Sequence, residues 1–403
     1  MEFPRVFFAI PAMDELEDLG ATLSCISAQD YPGDIQVYIC VNQAEGDEKD
    51  KRYQALSARN RALWERLRQN PWGLALHPID RFSEGKAWKG KQKGVGMARK
   101  SCVEALLPEA ESDDILIHMD ADTLFNPSYV RCMAQAFRNP HTDAATPAYY
   151  HRLSGCEAQD RAMLRYEIYL RCYLLQLLRI SSPYAFTALG SAICCRVGSY
   201  LKAGGFDSRE AGEDFYLLQR IVKCGQVDIR PHATVYPSSR LSERVPFGTG
   251  PAIRSLLQNE NTRYPVFPPE AFDAIRETYL RIPALQKGPV PTPLTDFMDR
   301  TLGKGDGWEK LRRNYPTLPA FTKAFHQKAD GLRIFQFLRH YADTHPDTEE
   351  NKLRATLLSL GMEEACPDSG FRFETAGIGE LNALRDACKK REDAWRQLPA
   401  LRH

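Results

Sequence analysis

Short apolar runs alternate along the first half of the chain with stretches whose apolar positions recur every three or four residues. "RVFFAI" (5–10) predicts a strand, and Leu16, Leu19, Leu23 and Ile26 then mark a helix. "IQVYICV" (35–41) predicts a second strand, a polar stretch from about 48 to 68 a helix, and "GLALHPI" (73–79) a short strand. Val95, Ala98, Cys102 and Leu106 predict the next helix, stopped by Pro108, and "DDILIHMD" (113–120) returns to a strand. Asn126 is placed to cap a following helix with Pro127 in its first turn and Val130, Met133 and Phe137 inward. Repeated strand–helix units of this length predict a parallel sheet with helices on both faces. Ligands bind such sheets at the carboxyl ends of the strands, where "PAMDE" and "DADT" fall.

Further on, Met163, Tyr166, Leu170, Leu174 and Leu177 share one face of a helix over 157–180. Glu157, Asp160, Arg161, Arg165, Glu167, Arg171 and Arg179 are too many charges for a bilayer span. An amphipathic helix docked on the core is the expectation; peripheral membrane contact or a partner is the alternative. Beyond residue 250 the Pro-rich pieces "YPVFPPE" and "QKGPVPTPLTD" separate helical patterns such as "LRIFQFLRHYAD" and "ELNALRDACKKREDAWRQL". The expected organisation is an α/β region over 1–250 and a mostly helical region over 251–403, without internal repeats.

Composition narrows the function classes. In 403 residues, 53 Lys and Arg face 52 Asp and Glu for a formal net charge of +1, which gives no support to a nucleic-acid partner. Eleven cysteines include no CxxC pair, so neither a disulfide framework nor a zinc site is expected, and a reducing, cytoplasmic setting fits. The opening "MEFPRVFFAIPAMDE" lacks the pattern of a secretory signal.

Chemistry concentrates in four segments. Asp120 and Asp122 point to the same side of an extended segment at the end of a buried strand. Two carboxylates there suit Mg2+ or Mn2+; two solvated loop acids are the structural alternative. "GKAWKGKQKGVGMARK" gathers Lys86, Lys89, Lys91, Lys93, Arg99 and Lys100 around a glycine-led helix start that favours anions, or forms a solvated basic face. It is not an ATPase phosphate loop. Glu213 and Asp214 open a helix, where acids also serve the helix dipole. "PHATVYPSSRLSERVPFGTG" supplies His232, Arg240 and Arg244, and arginine suits a diphosphate.

Taken in order, "IPAMDE", "GVGMARK", "DAD" and "AGGFD…GEDFYLLQR" resemble glycosyltransferase family 2 and related enzymes of the GT-A fold, over roughly residues 5–250. The resemblance implies transfer of a sugar from a nucleotide-diphosphate donor to an acceptor hydroxyl. It makes Asp122 a metal ligand and gives Asp120 a contact to the metal or the donor ribose. Pro11, Ala12, Glu15 and Asn42 would line the base pocket, Arg99 and Lys93 would meet the donor, and His232 is a further metal candidate. Asp214, beside Glu213, would be the general base of an inverting reaction, and Arg240 or Arg244 would neutralise the departing diphosphate. Met13 stands where a tyrosine is common, and Asn42 where an acid is usual, so uracil is not clearly preferred over guanine. The Trp that follows an Arg in processive relatives is absent. A nucleotidyltransferase of related fold, and a catalytically silent nucleotide-sugar-binding protein, are the alternatives.

Overall fold

The computed structural model describes residues 3–47, 49–90, 93–191, 193–207, 212–229, 232–240, 249–257, 265–302 and 307–397. Within them the chain forms two compact units, Met1–Met163 with Ala188–Gln258 and Arg396–His403, and Leu164–Thr187 with Asn259–Trp395. The segment 164–187, which the sequence pattern assigned to the first region, belongs to the second unit.

The first unit runs β1 (Val6–Ala12), α1 (Leu19–Ser27), β2 (Ile35–Asn42), α2 (Lys51–Gln69), β3 (Ala75–Arg81), α3 (Val95–Leu106), β4 (Ile115–His118), β5 (Leu124–Phe125), α4 (Tyr129–Ala136), β6 (Thr142–Ala145) and β7 (Ala148–Tyr149). Helix α5 (Glu157–Arg179) then crosses into the second unit, and the first resumes with β8 (Ile193–Arg196), α6 (Val197–Lys202), α7 (Glu213–Cys224), β9 (Gln226–Asp228), β10 (Thr234–Tyr236) and α8 (Thr249–Leu257). Among the described residues the main sheet has seven strands in the order β3-β2-β1-β4-β8-β6-β9. Strands β3, β2, β1 and β4 run parallel, and β8 is antiparallel to both neighbours. Val6 to Ile10 are fully buried, as a central strand covered on both faces requires. A second sheet, β5-β10-β7, is built from strands of two or three residues.

The second unit is helical: α9 (Pro269–Leu280), α10 (Ile282–Lys287), α11 (Pro293–Leu302), α12 (Glu309–Asn314), α13 (Leu318–Lys328), α14 (Gly331–Thr344), α15 (Glu349–Ser359) and α16 (Ile378–Arg396). Leu164, Ile168, Cys172 and Leu175 of α5 share an apolar cluster with Leu353 and Leu357 of α15 and Leu381, Leu384 and Cys388 of α16.

Two local expectations change. From 160 to 180 no residue of α5 is exposed, and Glu167 and Arg171 are fully buried as an ion pair at 2.7 Å. It is docked on the core, as expected; what changes is its polar face, which is buried or half-buried as well. Helix α4 begins at Tyr129, whose N–H donates to the Asn126 carbonyl at 3.0 Å. Asn126 therefore closes a turn and Ser128 takes the cap position. Among the described residues no helix is long and apolar enough to cross a membrane.

Candidate active site

Strands β1 and β4 are parallel neighbours, with Ala9 opposite His118, so the segments that leave their carboxyl ends emerge side by side. One carries Glu15 and Asp18, the other Asp120 and Asp122. The turn after β1 is built: Asp14 has φ of 62°, its N–H donates to Asn60 Oδ1 at 3.1 Å, and its carboxylate pairs with Arg59. On the β4 side the Thr22 hydroxyl of α1 lies 2.9 Å from the Ala121 carbonyl and 3.0 Å from that of Thr123. Arg152 donates to the Asp122 carbonyl at 2.7 Å and to the Tyr236 carbonyl at 3.3 Å.

The small sheet brings the third component. Strand β10 is antiparallel to β5, with Tyr236 opposite Leu124, so the chain leaving β10 runs back past Asp122 and delivers Arg240. The Arg240 guanidinium donates through Nη2 to both Glu15 oxygens (2.5 and 2.6 Å) and through Nη1 to Asp18 (2.6 Å), while Nε lies 2.9 Å from Asp122 Oδ2. Burial pushes the Asp122 carboxyl up to about 7, Arg240 pulls it down, and Asp120, Glu15 and Asp18 add to the rise.

A second arginine organises the other side. Arg99 on α3 is 1 % exposed, its Nη2 2.5 Å from Asp120 Oδ1 and its Nε 3.3 Å from Glu213 Oε1. Gly94, with φ of 105°, opens α3, and Gly212, with φ of 76°, opens α7, so both helices start from backbone that favours glycine. Burial lifts the Glu213 carboxyl, with Arg99 opposing. Asp214 is lifted to about 7, first by burial and then by the neighbouring Glu213 charge, with Arg99 opposing and Asp120 adding to the rise. Arg99, with Asp120 on one side and Glu213 on the other, thus joins the strand-end acids to the acids that open α7.

The remaining expected residues distribute unevenly. Ala12 and Asn42 are neighbours, Asn42 Nδ2 donating to the Ala12 carbonyl at 3.2 Å and to the Cys40 carbonyl at 3.0 Å. Pro11 precedes them on β1. Glu15, expected at the base, meets Arg240 instead, because its segment runs beside the one carrying Asp122. Lys93 is exposed just ahead of α3, and the rest of the basic segment is partly neutralised: Lys86 by Asp80 (3.1 Å), Lys89 by Glu45 (3.2 Å) and Lys100 by Glu104 (3.8 Å). His232 is exposed just ahead of β10 and makes no hydrogen bond, ion pair or ring contact among the described residues. Arg244 lies outside them.

Several site residues carry no signal in the pattern of the chain. Asp18 reads as a helix cap. Asn60 reads as one polar position on a polar helix, yet it is fully buried and donates to the Asn42 carbonyl (3.3 Å) and Gln43 Oε1 (3.0 Å). Arg81 stands opposite Asn42 at the end of β3; its side chain has no hydrogen bond or ion pair among the described residues, and its Nε is buried. Gly190 lies against Arg99, where a Cβ would come within 2.4 Å of Nη2.

Asp120 and Asp122 supply the hard carboxylate oxygens that Mg2+ or Mn2+ prefers, and in donor type the residues fit such an ion. In arrangement the Arg240 guanidinium stands against Asp122, and among the described residues no three His, Cys, Asp or Glu side chains are disposed to hold a metal.

No protein-family model matches the chain, and no curated protein matches it in sequence. Among solved structures, the chain is similar to S. aureus TarS 1-349 in complex with UDP-GlcNAc, at 11% identity and a TM-score of 0.39 over 97% of this chain and 91% of that one. The same protein in complex with UDP gives 12% identity and a TM-score of 0.42 over 98% and 91%. The mannosyltransferase PcManGT from Pyrobaculum calidifontis, in complex with GDP-Man and Mn2+, gives 16% and 0.39 over 98% and 88%. At this level of likeness, what the site can do follows from its own side chains.

Proposed function

We propose that the protein is a metal-assisted glycosyltransferase of the GT-A type, moving a sugar from a nucleotide-diphosphate donor to an acceptor hydroxyl with inversion. The observation that carries this reading is Arg99, which bridges Asp120 beyond the end of β4 to Glu213 at the start of α7 and so brings the strand-end acids beside the candidate proton acceptor Asp214. A carboxylate whose pKa stands near 7 is well matched to take a proton from an alcohol at neutral pH.

In this reading the acceptor oxygen attacks the anomeric carbon as its proton passes to the Asp214 carboxylate. The bond from that carbon to the diphosphate oxygen breaks, and the nucleoside diphosphate leaves with the electron pair. Asp122, with Asp120, would hold Mn2+ or Mg2+, which when bound supplies Lewis-acid stabilisation of the diphosphate. Arg99, buried between Asp120 and Glu213, keeps both carboxylates oriented. The Asn42 amide, held to the end of β1, presents its oxygen to the base, and Arg81 is a cation available to the donor at the neighbouring strand end.

Asp214→Asn separates this reading from a nucleotidyltransferase, which needs no base at the acceptor. Transfer should fall about a hundred- to ten-thousand-fold while nucleotide-diphosphate affinity stays within about twofold. Equal loss of binding and transfer would mark Asp214 as a structural acid. A thermal-shift screen of UDP, GDP, CDP and dTDP sugars, each with and without Mn2+, identifies the base, and absence of any shift would end the donor assignment.

A further inference from the structure

One carboxylate expected to draw in a divalent cation, Asp122, stands with Glu15 and Asp18 on a cation already present. All three nitrogens of the Arg240 guanidinium face acids, Nε to Asp122, Nη1 to Asp18 and Nη2 to Glu15, and the Glu15 side chain is only 6 % exposed. A divalent ion at this site would be held by the Asp122 carboxylate. Arg240 Nε is already 2.9 Å from Oδ2 of the same carboxylate. A divalent ion on that carboxylate would set two cations against one side chain, where they repel. Ion and guanidinium therefore exclude each other unless Arg240 has somewhere better to go. A diphosphate offers it a bidentate anionic acceptor, the geometry guanidinium prefers.

Resting on the cation assignment above, we propose that Arg240 is an internal counter-ion that closes the metal seat in the donor-free protein and yields it when a nucleoside diphosphate arrives. Arg240 then changes partners, from Glu15, Asp18 and Asp122 to the diphosphate. Metal-first binding is suppressed, and the cation enters with the nucleotide.

The test is Mn2+ binding, read from the loss of the free-ion electron paramagnetic resonance signal, on the full chain without acceptor. Mn2+ alone should bind Arg240→Gln at least about tenfold tighter than wild type, a difference of about 1.4 kcal/mol. Arg240→Lys, whose point charge cannot span three carboxylates, should fall between the two. Unchanged or weaker Mn2+ binding by Arg240→Gln overturns the proposal. If that variant fails to fold, the lysine variant decides alone, and an affinity no tighter than wild type overturns it. Asp122→Asn in the Arg240→Gln background separates the two ideas. Lost Mn2+ binding supports the seat at Asp122; full retention refutes the metal assignment itself and this inference with it. Nucleotide alone, as UDP and as GDP, gives the reciprocal reading: removing Arg240 should weaken it at least about tenfold, and unaltered affinity counts against the exchange of partners.

Discussion

Gly190 has no side chain, and its neighbour explains why. A Cβ there would come within 2.4 Å of Arg99 Nη2 and 3.4 Å of Asp120 Oδ1, in a place where Arg99 is 1 % exposed and held by acids on two sides. Gly190→Ala should therefore cost about 1–3 kcal/mol of stability, as overpacking does, and disturb the Asp120 carboxylate. Urea unfolding and nucleotide titration check the two effects. Asp214 carries a pH prediction. Its carboxyl stands at about 7 against an ordinary 3.8, so transfer should rise about tenfold per pH unit below 7 and level above it. Asp214→Asn should flatten that limb. The same shift has a stability sign. The native state holds the proton more tightly than the unfolded chain, so this stabilising contribution is complete below about pH 4 and lost as pH rises through 7. Asp214→Asn should thus gain on wild type by on the order of 2–4 kcal/mol at pH 8 and hardly at all at pH 4, by thermal unfolding across that range. At this scale Asp120, Asp122, Glu213 and Asp214 could be named as candidates from the sequence, whereas Asp18 could not. Nor could Gly190 and Asn60, because a glycine's packing partner and a polar residue's burial leave no periodic trace.

Helices α1 and α2 act on the site as braces, each through one buried polar side chain. Asn60 of α2 accepts from the Asp14 N–H and donates to Asn42 and Gln43, tying the ends of β1 and β2 together. Asn60→Leu would strand those groups, each at about 1–3 kcal/mol, so a stability loss of at least about 2 kcal/mol is expected, with weaker nucleotide binding. Asn60→Asp keeps the acceptor for Asp14 but sets a buried carboxylate against the Asn42 carbonyl, so it should lose at least as much; denaturant unfolding and calorimetry compare them. The boundaries of α3 and of the strand around 113–120 follow from apolar spacing and from Gly94 and Pro108. The sheet β5-β10-β7 does not, since strands of two or three residues are too short to show alternation. Yet that sheet carries Arg240 to Asp122, so the element least visible in the pattern decides the electrostatics of the site.

Across the whole molecule, charge is buried where the pattern implied a surface. In the second unit, Arg171 of α5 pairs with Glu167 and with Glu392 of α16, all three fully buried, and Arg385 lies 3.7 Å from Glu167. Arg171→Met should cost about 3–5 kcal/mol, because it takes the shared cation from two buried carboxylates. Adding Glu167→Gln and Glu392→Gln should recover much of the loss, as read by urea unfolding and by hydrogen exchange in α15 and α16. The sequence by itself determined the alternation of strand and helix, the helical character of the region beyond 250, and the clustering of acids at strand ends. Apolar period, caps and proline act over a few neighbouring residues, so these features are local. Tertiary structure alone decided which cation meets which acid: Arg240 reaches Glu15 and Asp18 across 225 and 222 positions, and Arg99 joins Asp120 to Glu213. Those pairings depend on strand order and register, which bring distant segments to the same sheet end and which no local periodicity encodes.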